Sequence, residues 1–381
     1  MTKLFSLFLF LYWLIVDVNT LPVKRSLSRV NLNAWPTRIA EKLEEVIISN
    51  AHSGSYACFD SDQTTYQWDL EESTFAYLEM KNVLNRENLD QALKLIPFID
   101  TEKHRESLFS YYYRLCTVLD DIICYNWIAQ AFSGMTLNEL KTYVDEMLQS
   151  NTGNTTIKTM LTTSNNNSII QTEYNAPIPN FYRAQQELFN SLMSNGIEVY
   201  IITASHEELI RMVLSDSKYG YNVKPQNIIG ISTLLRNNTQ LTISRKAIED
   251  NTYDQEKNLN LKFTSSLWSP QTAFAGKYAA ILTYINQWKM PIIVAGDTPT
   301  SDSYMMFHAY NHQRGTVRLW VNRKDAYLTL INQMKDRYVM EQIENNLIVT
   351  ADKNWIYVTP NDLAPVNGTS SNLTNKICIF C

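Results

Sequence analysis

The chain has 381 residues, of which 45% are hydrophobic and 19% charged, enough apolar material for a large core and too little charge for a largely disordered polymer. Its 33 basic and 38 acidic side chains give a formal charge of −5, and no Lys/Arg-rich block stands out, so the electrostatic footprint of a nucleic-acid binder is missing. Only 10 Gly and 11 Pro are present, which excludes collagen-like and low-complexity readings, and the length predicts two or three domain-sized units.

The first element reads as a processing signal. Lys3 precedes an apolar run from Leu4 to Val16 that turns polar at Asp17, the pattern of a signal peptide over residues 1–20. The run is shorter than the ~20 residues that span a bilayer; retention as an anchor, with Lys24 and Arg25 behind it, is the alternative. No later segment predicts a membrane span, so a secreted or secretory-pathway protein is expected. Sequons at Asn154, Asn166, Asn237, Asn367 and Asn372 fit a glycoprotein in a eukaryotic host.

Five apolar, partly β-branched runs, 55–59, 198–202, 227–231, 291–295 and 317–321, end near turn signals and predict buried parallel strands. Helical patterns at 206–215 and 277–288 lie between them. The alternation predicts an α/β fold with an open, mostly parallel sheet, which binds ligands at the carboxyl ends of its strands. After the first strand, residues 73–179 form an insertion of different character, with helical periodicity over 89–99, 106–118 and 137–148. It predicts a helical cap on a core made of 21–72 and 180–360. Within it, 150–175 is rich in Asn, Thr and Ser and predicts an exposed loop; 232–264 predicts a β-hairpin on the core. Residues 361–381 read as a flexible polar tail.

Five cysteines are spread along these elements. Cys58 lies in an apolar run and is expected as a buried free thiol. Cys116 and Cys124, between expected helices, suit a disulfide in an oxidising compartment. Cys378 and Cys381 form a tail pair without the further ligands of a zinc site.

Asp60 and Asp62 follow the first strand directly, in Phe59-Asp60-Ser61-Asp62-Gln63-Thr64. Two residues apart in an extended chain, their carboxylates face one side, and holding two like charges there costs energy unless a cation is shared. By itself Asp-x-Asp-x-Thr is equally a turn or helix-cap pattern. A second acidic string, Gly296-Asp297-Thr298-Pro299-Thr300-Ser301-Asp302, follows another apolar run, with Gly permitting close backbone approach. Hydroxyls of Thr203 and Ser205 end the second strand, and Lys277 opens the helix before the Asp297 strand.

In this order the motifs resemble those of the haloacid dehalogenase (HAD) superfamily phosphatases: acid-x-acid, Thr/Ser, Lys, then Gly-Asp with a further Asp. The likeness runs from about Tyr56 to Lys324. It is strongest to the phosphorylcholine phosphatases and their phosphoserine-phosphatase-like relatives, through residues 64–72, 124–127, 218–225 and 296–302. The resemblance implies a HAD-like Rossmannoid core with a helical cap after the first strand. It implies Asp60 as the nucleophile that forms an aspartyl-phosphate and Asp62 as the acid and base, both catalytic. Mg²⁺ would be held by Asp60, the backbone carbonyl of Asp62 and Asp297, with Asp302 behind them. Lys277 and Thr203 would bind phosphoryl oxygens, the choice between Thr203 and Ser205 staying open.

The substrate expected is a small phosphomonoester, phosphocholine or a similar amino-alcohol phosphate. A quaternary ammonium is recognised by negative charge and aromatic faces. The resemblance points to Glu72 for that contact, and Asp120, Asp121, Trp127 and the Tyr111-Tyr112-Tyr113 run are further candidates. Adjacent Glu71 and Glu72 are not expected both to point inward, and paired acids on a helix are usually a solvated face. Two alternatives stand beside this reading: a broad or phosphoserine-type phosphatase, and a secreted, catalytically silent binder of choline or phosphate. Oligomeric state is not legible in the sequence.

Overall fold

The structure is a computed structural model that describes residues 27–102, 104–165, 168–268 and 271–364. The signal segment, the sequons at Asn166, Asn367 and Asn372, the Cys378–Cys381 pair and residues 365–381 of the tail lie outside the described residues.

Helix α1 (Thr37–Asn50) turns Leu43 and Ile47 inward and leads to β1 (Tyr56–Phe59), buried along its whole length. The chain then leaves the sheet through β2 (Tyr66–Gln67), α2 (Leu70–Met80), α3 (Leu108–Val118), α4 (Asp121–Gln130) and α5 (Leu137–Gln149). The hairpin β3 (Thr156–Asn165) and β4 (Ser168–Pro177) follows, and β5 (Asn180–Phe181) pairs antiparallel with β2. That short ladder holds together the two crossings between cap and core. The core resumes with α6 (Arg183–Ser194), β6 (Glu198–His206), α7 (Glu207–Leu214), β7 (Ile228–Asn237), β8 (Gln240–Thr242), α8 (Ser244–Glu249), α9 (Gln255–Asn258) and β9 (Lys262–Trp268). It ends with α10 (Ala275–Ala280), β10 (Ile293–Gly296), α11 (Pro299–His308), β11 (Val317–Val321), α12 (Asp325–Glu344) and β12 (Trp355–Val358).

Strands β12, β11, β10, β1, β6 and β7 lie side by side and parallel, while β8 and β9 pair antiparallel with β7. Side chains alternate across the sheet with period two. Ala57, Phe59 and Ile201 enter one apolar cluster with Leu188 and Phe189 of α6; Cys58, Ile202, Val294 and Trp320 enter the other with Met305 and Ile331. Phe59 packs on Phe189 at a ring separation of 4.5 Å, and burying such a side chain contributes ~1.5–3 kcal/mol. The order places β1 between β10 and β6, with Phe59 opposite both Ala295 and Ile201. Loops leaving three strands from far-apart parts of the chain therefore meet at one sheet end.

Several local expectations are corrected. Residues 89–99 hold only a 3₁₀ turn at Gln91–Leu93, because Pro97 lacks a donor and disfavours helix before it. Residues 150–175, expected as loop, form most of the β3–β4 hairpin, paired from Thr156↔Pro177 to Asn165↔Ser168. Their Thr and Ile content suits a half-buried strand, and Ile157 and Thr162 are buried against the cap. The helix expected over 277–288 is instead α10 with a π-helical turn over Ile281–Ile285. The 232–264 excursion does return antiparallel to β7 at β8, then inserts α8 and α9 before β9. Cys116 and Cys124 form a disulfide, Cα atoms 5.1 Å apart, and Cys58 is a buried free thiol.

Candidate active site

Strand β1 carries Asp60 out of the sheet, its amide donating to Ala295 O at 3.0 Å. Oδ1 of Asp60 accepts the Ser61 amide at 2.8 Å and lies 2.7 Å from Lys277 Nζ. The Lys277 ammonium also donates to Asp302 Oδ1 at 2.6 Å. Asp302 Oδ2 accepts the amides of Asp297 and Thr298, each at 2.9 Å. This carboxylate is thereby anchored to the turn between β10 and α11 and fully used in holding Lys277 and that turn. Thr64 Oγ1 donates to Asp297 Oδ1 at 3.0 Å, and Thr298 Oγ1 and Arg323 Nε donate to Asp297 Oδ2.

Asp62 faces a hydroxyl-rich wall. Its Oδ1 accepts Tyr66 Oη at 2.9 Å and the Leu70 amide at 2.8 Å; its Oδ2 accepts the hydroxyls of Ser61 and Ser205, both at 2.8 Å. Thr203 Oγ1 is 2.6 Å from Ser61 Oγ and accepts the Ser205 amide at 3.0 Å. Thr203 is thus directed at the loop between the two aspartates, whereas Ser205 is engaged with Asp62.

Burial governs the electrostatics. Desolvation, then the charge of Asp302, pushes the Asp60 carboxyl well above the usual carboxylate range against the pull of Lys277. Desolvation also raises Asp297, partly offset by Arg323. Lys277 is drawn down by burial, but Asp302 and Asp60 more than reverse this and keep it protonated. Three carboxylates share two cations here, Lys277 and Arg323. Carboxylate oxygens of Asp60, Asp297 and Asp302 lie within 4.8 Å of one another, an all-oxygen donor set that fits a hard divalent cation. Both oxygens of Asp302 and both of Asp297 already accept hydrogen bonds, so a cation here would share or replace those donors.

At the cap, Asp69 caps α2 by accepting the Glu72 amide at 2.8 Å. Glu72 Oε1 accepts Tyr112 Oη at 3.2 Å and its Oε2 accepts Tyr113 Oη at 3.1 Å; Tyr113 Oη also reaches Tyr174 Oη at 3.2 Å. Both neighbouring glutamates point inward, contrary to expectation, because α2 is enclosed on two sides: Glu71 accepts the His206 amide at 3.0 Å on the core side, and Glu72 faces α3. The structure places the three other head-group candidates as follows. Trp127 is fully buried in the cap core, packed edge-on against Phe75 and tilted against Tyr111, its indole N–H donating to Leu93 O at 2.7 Å. Asp120 is exposed and caps α4 by accepting the Ile122 amide at 2.8 Å. Asp121 is exposed in the first turn of that helix.

Sequence reasoning missed Arg323, which stands two residues beyond β11 and ion-pairs with Asp297. Its position just after an apolar strand was the available signal, since such strand ends carry the site. It also gave no role to Ser61, whose hydroxyl links Asp62 to Thr203.

The chain is 51% identical over 338 residues to phosphorylcholine phosphatase from Pseudomonas aeruginosa, covering 88% of this chain and 94% of that protein. Among solved structures, a protein of unknown function from Anaerococcus prevotii aligns with 82% of this chain and 92% of its own, at TM-score 0.53 and 16% identity, a likeness of fold. A HAD family hydrolase from Salmonella enterica serovar Typhi aligns with 79% of this chain and 77% of its own, at TM-score 0.38 and 9% identity. No family model matches the chain.

Proposed function

The chain belongs to the phosphorylcholine phosphatase family, and on that premise we propose that it is a HAD-type, Mg²⁺-dependent phosphomonoesterase acting on phosphocholine or a similar small amino-alcohol phosphate. The observation that carries the head-group part is the Glu72 carboxylate held between the Tyr112 and Tyr113 hydroxyls, negative charge and aromatic surface together, as a quaternary ammonium requires.

In the first step a carboxylate oxygen of Asp60 attacks phosphorus. The bond from phosphorus to the alcohol oxygen breaks, and Asp62 gives that oxygen its proton. In the second, Asp62 takes a proton from water as the water oxygen attacks phosphorus. The bond to Asp60 breaks, releasing inorganic phosphate and restoring both carboxyl groups. Lys277, with the Thr203 hydroxyl, binds phosphoryl oxygens and offsets the repulsion between an anionic nucleophile and an anionic substrate. Mg²⁺ would be held by Asp60, Asp297 and the Asp62 carbonyl, and when bound supplies further neutralisation of the phosphoryl charge. A secretory location belongs to the same proposal; the Cys116–Cys124 disulfide supports it.

A panel of phosphocholine, phosphoserine and p-nitrophenyl phosphate, assayed with Mg²⁺ and with a chelator, tests this. Phosphocholine should have the highest kcat/KM, and chelation should remove turnover until Mg²⁺ is restored. A metal-indifferent enzyme, or one that prefers the other two esters, contradicts the proposal.

A further inference from the structure

The turn that delivers Lys277 is anchored from an unexpected side. Phe274 has φ 54 and ψ −124, the geometry of the first central position of a type II′ turn, where glycine is usual, and Gly276 N closes that turn onto Ala273 O at 2.8 Å. A bulky residue persists at positive φ only where its surroundings over-determine it. Here they do so on both sides. Phe274 O accepts the Lys277 amide at 3.1 Å, and Thr272 Oγ1 donates to Thr203 O at 2.6 Å, binding the turn to the phosphate side of the core. The Phe274 ring stacks on Tyr125 of the cap at 6.3 Å and 17°, and Gln271 Nε2 donates to Ile122 O at 3.4 Å. The turn has no slack, since a Cβ on Gly276 would lie 1.8 Å from Gln271 O. Tyr125 follows Cys124, whose disulfide to Cys116 ties α4 to α3, the helix bearing Tyr112 and Tyr113.

We propose that Phe274 is a positioning residue: stacked on Tyr125, it couples the Glu72–Tyr112–Tyr113 wall in the cap to the turn that places Lys277 beside Asp60, so that a substrate head in the cap improves phosphoryl transfer in the core. This rests on the head-group reading above and adds the route by which it acts on turnover. Small misplacements of a charge-stabilising group cost rate, so the coupling is read in kcat.

The test is a double-mutant cycle on phosphocholine hydrolysis by the full chain with Mg²⁺, with p-nitrophenyl phosphate in parallel. Phe274→Leu and Tyr125→Leu should each lower kcat for phosphocholine about tenfold, and Phe274→Tyr should retain it. Either Leu change combined with Glu72→Gln should cost little more than Glu72→Gln alone. Additive losses, or wild-type kcat in Tyr125→Leu, overturn the coupling even if Phe274→Leu fails to fold, because Tyr125→Leu removes the same stack from the cap side. Glu72→Gln by itself separates the two readings: equal loss on both esters overturns the head site and the coupling together, whereas selective loss on phosphocholine with additive cycles overturns the coupling only.

Discussion

Asp302 sits so close to Gly296 that a Cβ on that glycine would fall 2.6 Å from the Asp302 carboxyl carbon. Glycine at the end of β10 is what lets Asp302 reach back to the Asp297 and Thr298 amides while holding Lys277. Gly296→Ala should therefore push Asp302 off the lysine, destabilising the protein by ~1–3 kcal/mol and lowering kcat by roughly ten- to a hundredfold. Thermal melts and steady-state kinetics check this; a variant with wild-type kcat would show that Lys277 needs no such support.

Lys277→Met removes the cation shared by Asp60 and Asp302, both buried. Stranding buried carboxylates costs about 3–5 kcal/mol, and loss of a charge-stabilising donor costs about 10²–10³ in kcat. Urea denaturation and turnover measurements should show both losses in the metal-free and Mg²⁺-loaded protein respectively.

Asp60→Asn should abolish turnover, by at least about 10³-fold, while leaving circular dichroism unchanged. It should also weaken Mg²⁺ binding, seen as a smaller rise in melting temperature with added Mg²⁺. Undiminished hydrolysis would remove Asp60 as nucleophile, and an unchanged metal response would remove it as a ligand.

His206 is fully buried at the start of α7, with Nδ1 accepting the Glu208 amide at 3.1 Å and Nε2 3.0 Å from Thr233 Oγ1. Desolvation takes its pKa down to about 3, against about 6.5 in an unfolded chain. The sign follows from linkage: the unfolded state binds the proton first, so this contribution is intact above pH about 6.5 and is lost as pH falls toward 3. The full loss is on the order of 5 kcal/mol. His206→Asn, which retains a capping acceptor, should lack that component when urea denaturation is compared across the same pH range; parallel curves for the two proteins would contradict it.

Much of the site was legible because its chemistry sits next to recognisable strands. Asp60, Thr203 and Asp297 each follow an apolar run, so locating β1, β6 and β10 located them too. Arg323 obeyed the same rule at β11 but belonged to no recognised motif, and its worth depends on Asp297, a partner the linear chain does not reveal. The cap was harder to read. Asn- and Thr-rich residues looked like loop because a hairpin with one solvated face has little apolar signal, and Trp127 looked like a ligand contact because an indole's use depends on what packs against it.

Local composition by itself determined the central strand positions, their parallel class and which polar residues stand at their ends, since burial periodicity and strand-end placement are written residue by residue; the roles assigned to those residues came from the family resemblance. The tertiary structure alone decided how these are used: that one ammonium serves Asp60 and Asp302 together, that Glu71 meets the end of β6 while Glu72 meets α3, and that Tyr125 rests on the turn before Lys277. Each of these is a meeting of groups far apart in the chain, and its strength comes from the desolvation that only the closed fold imposes.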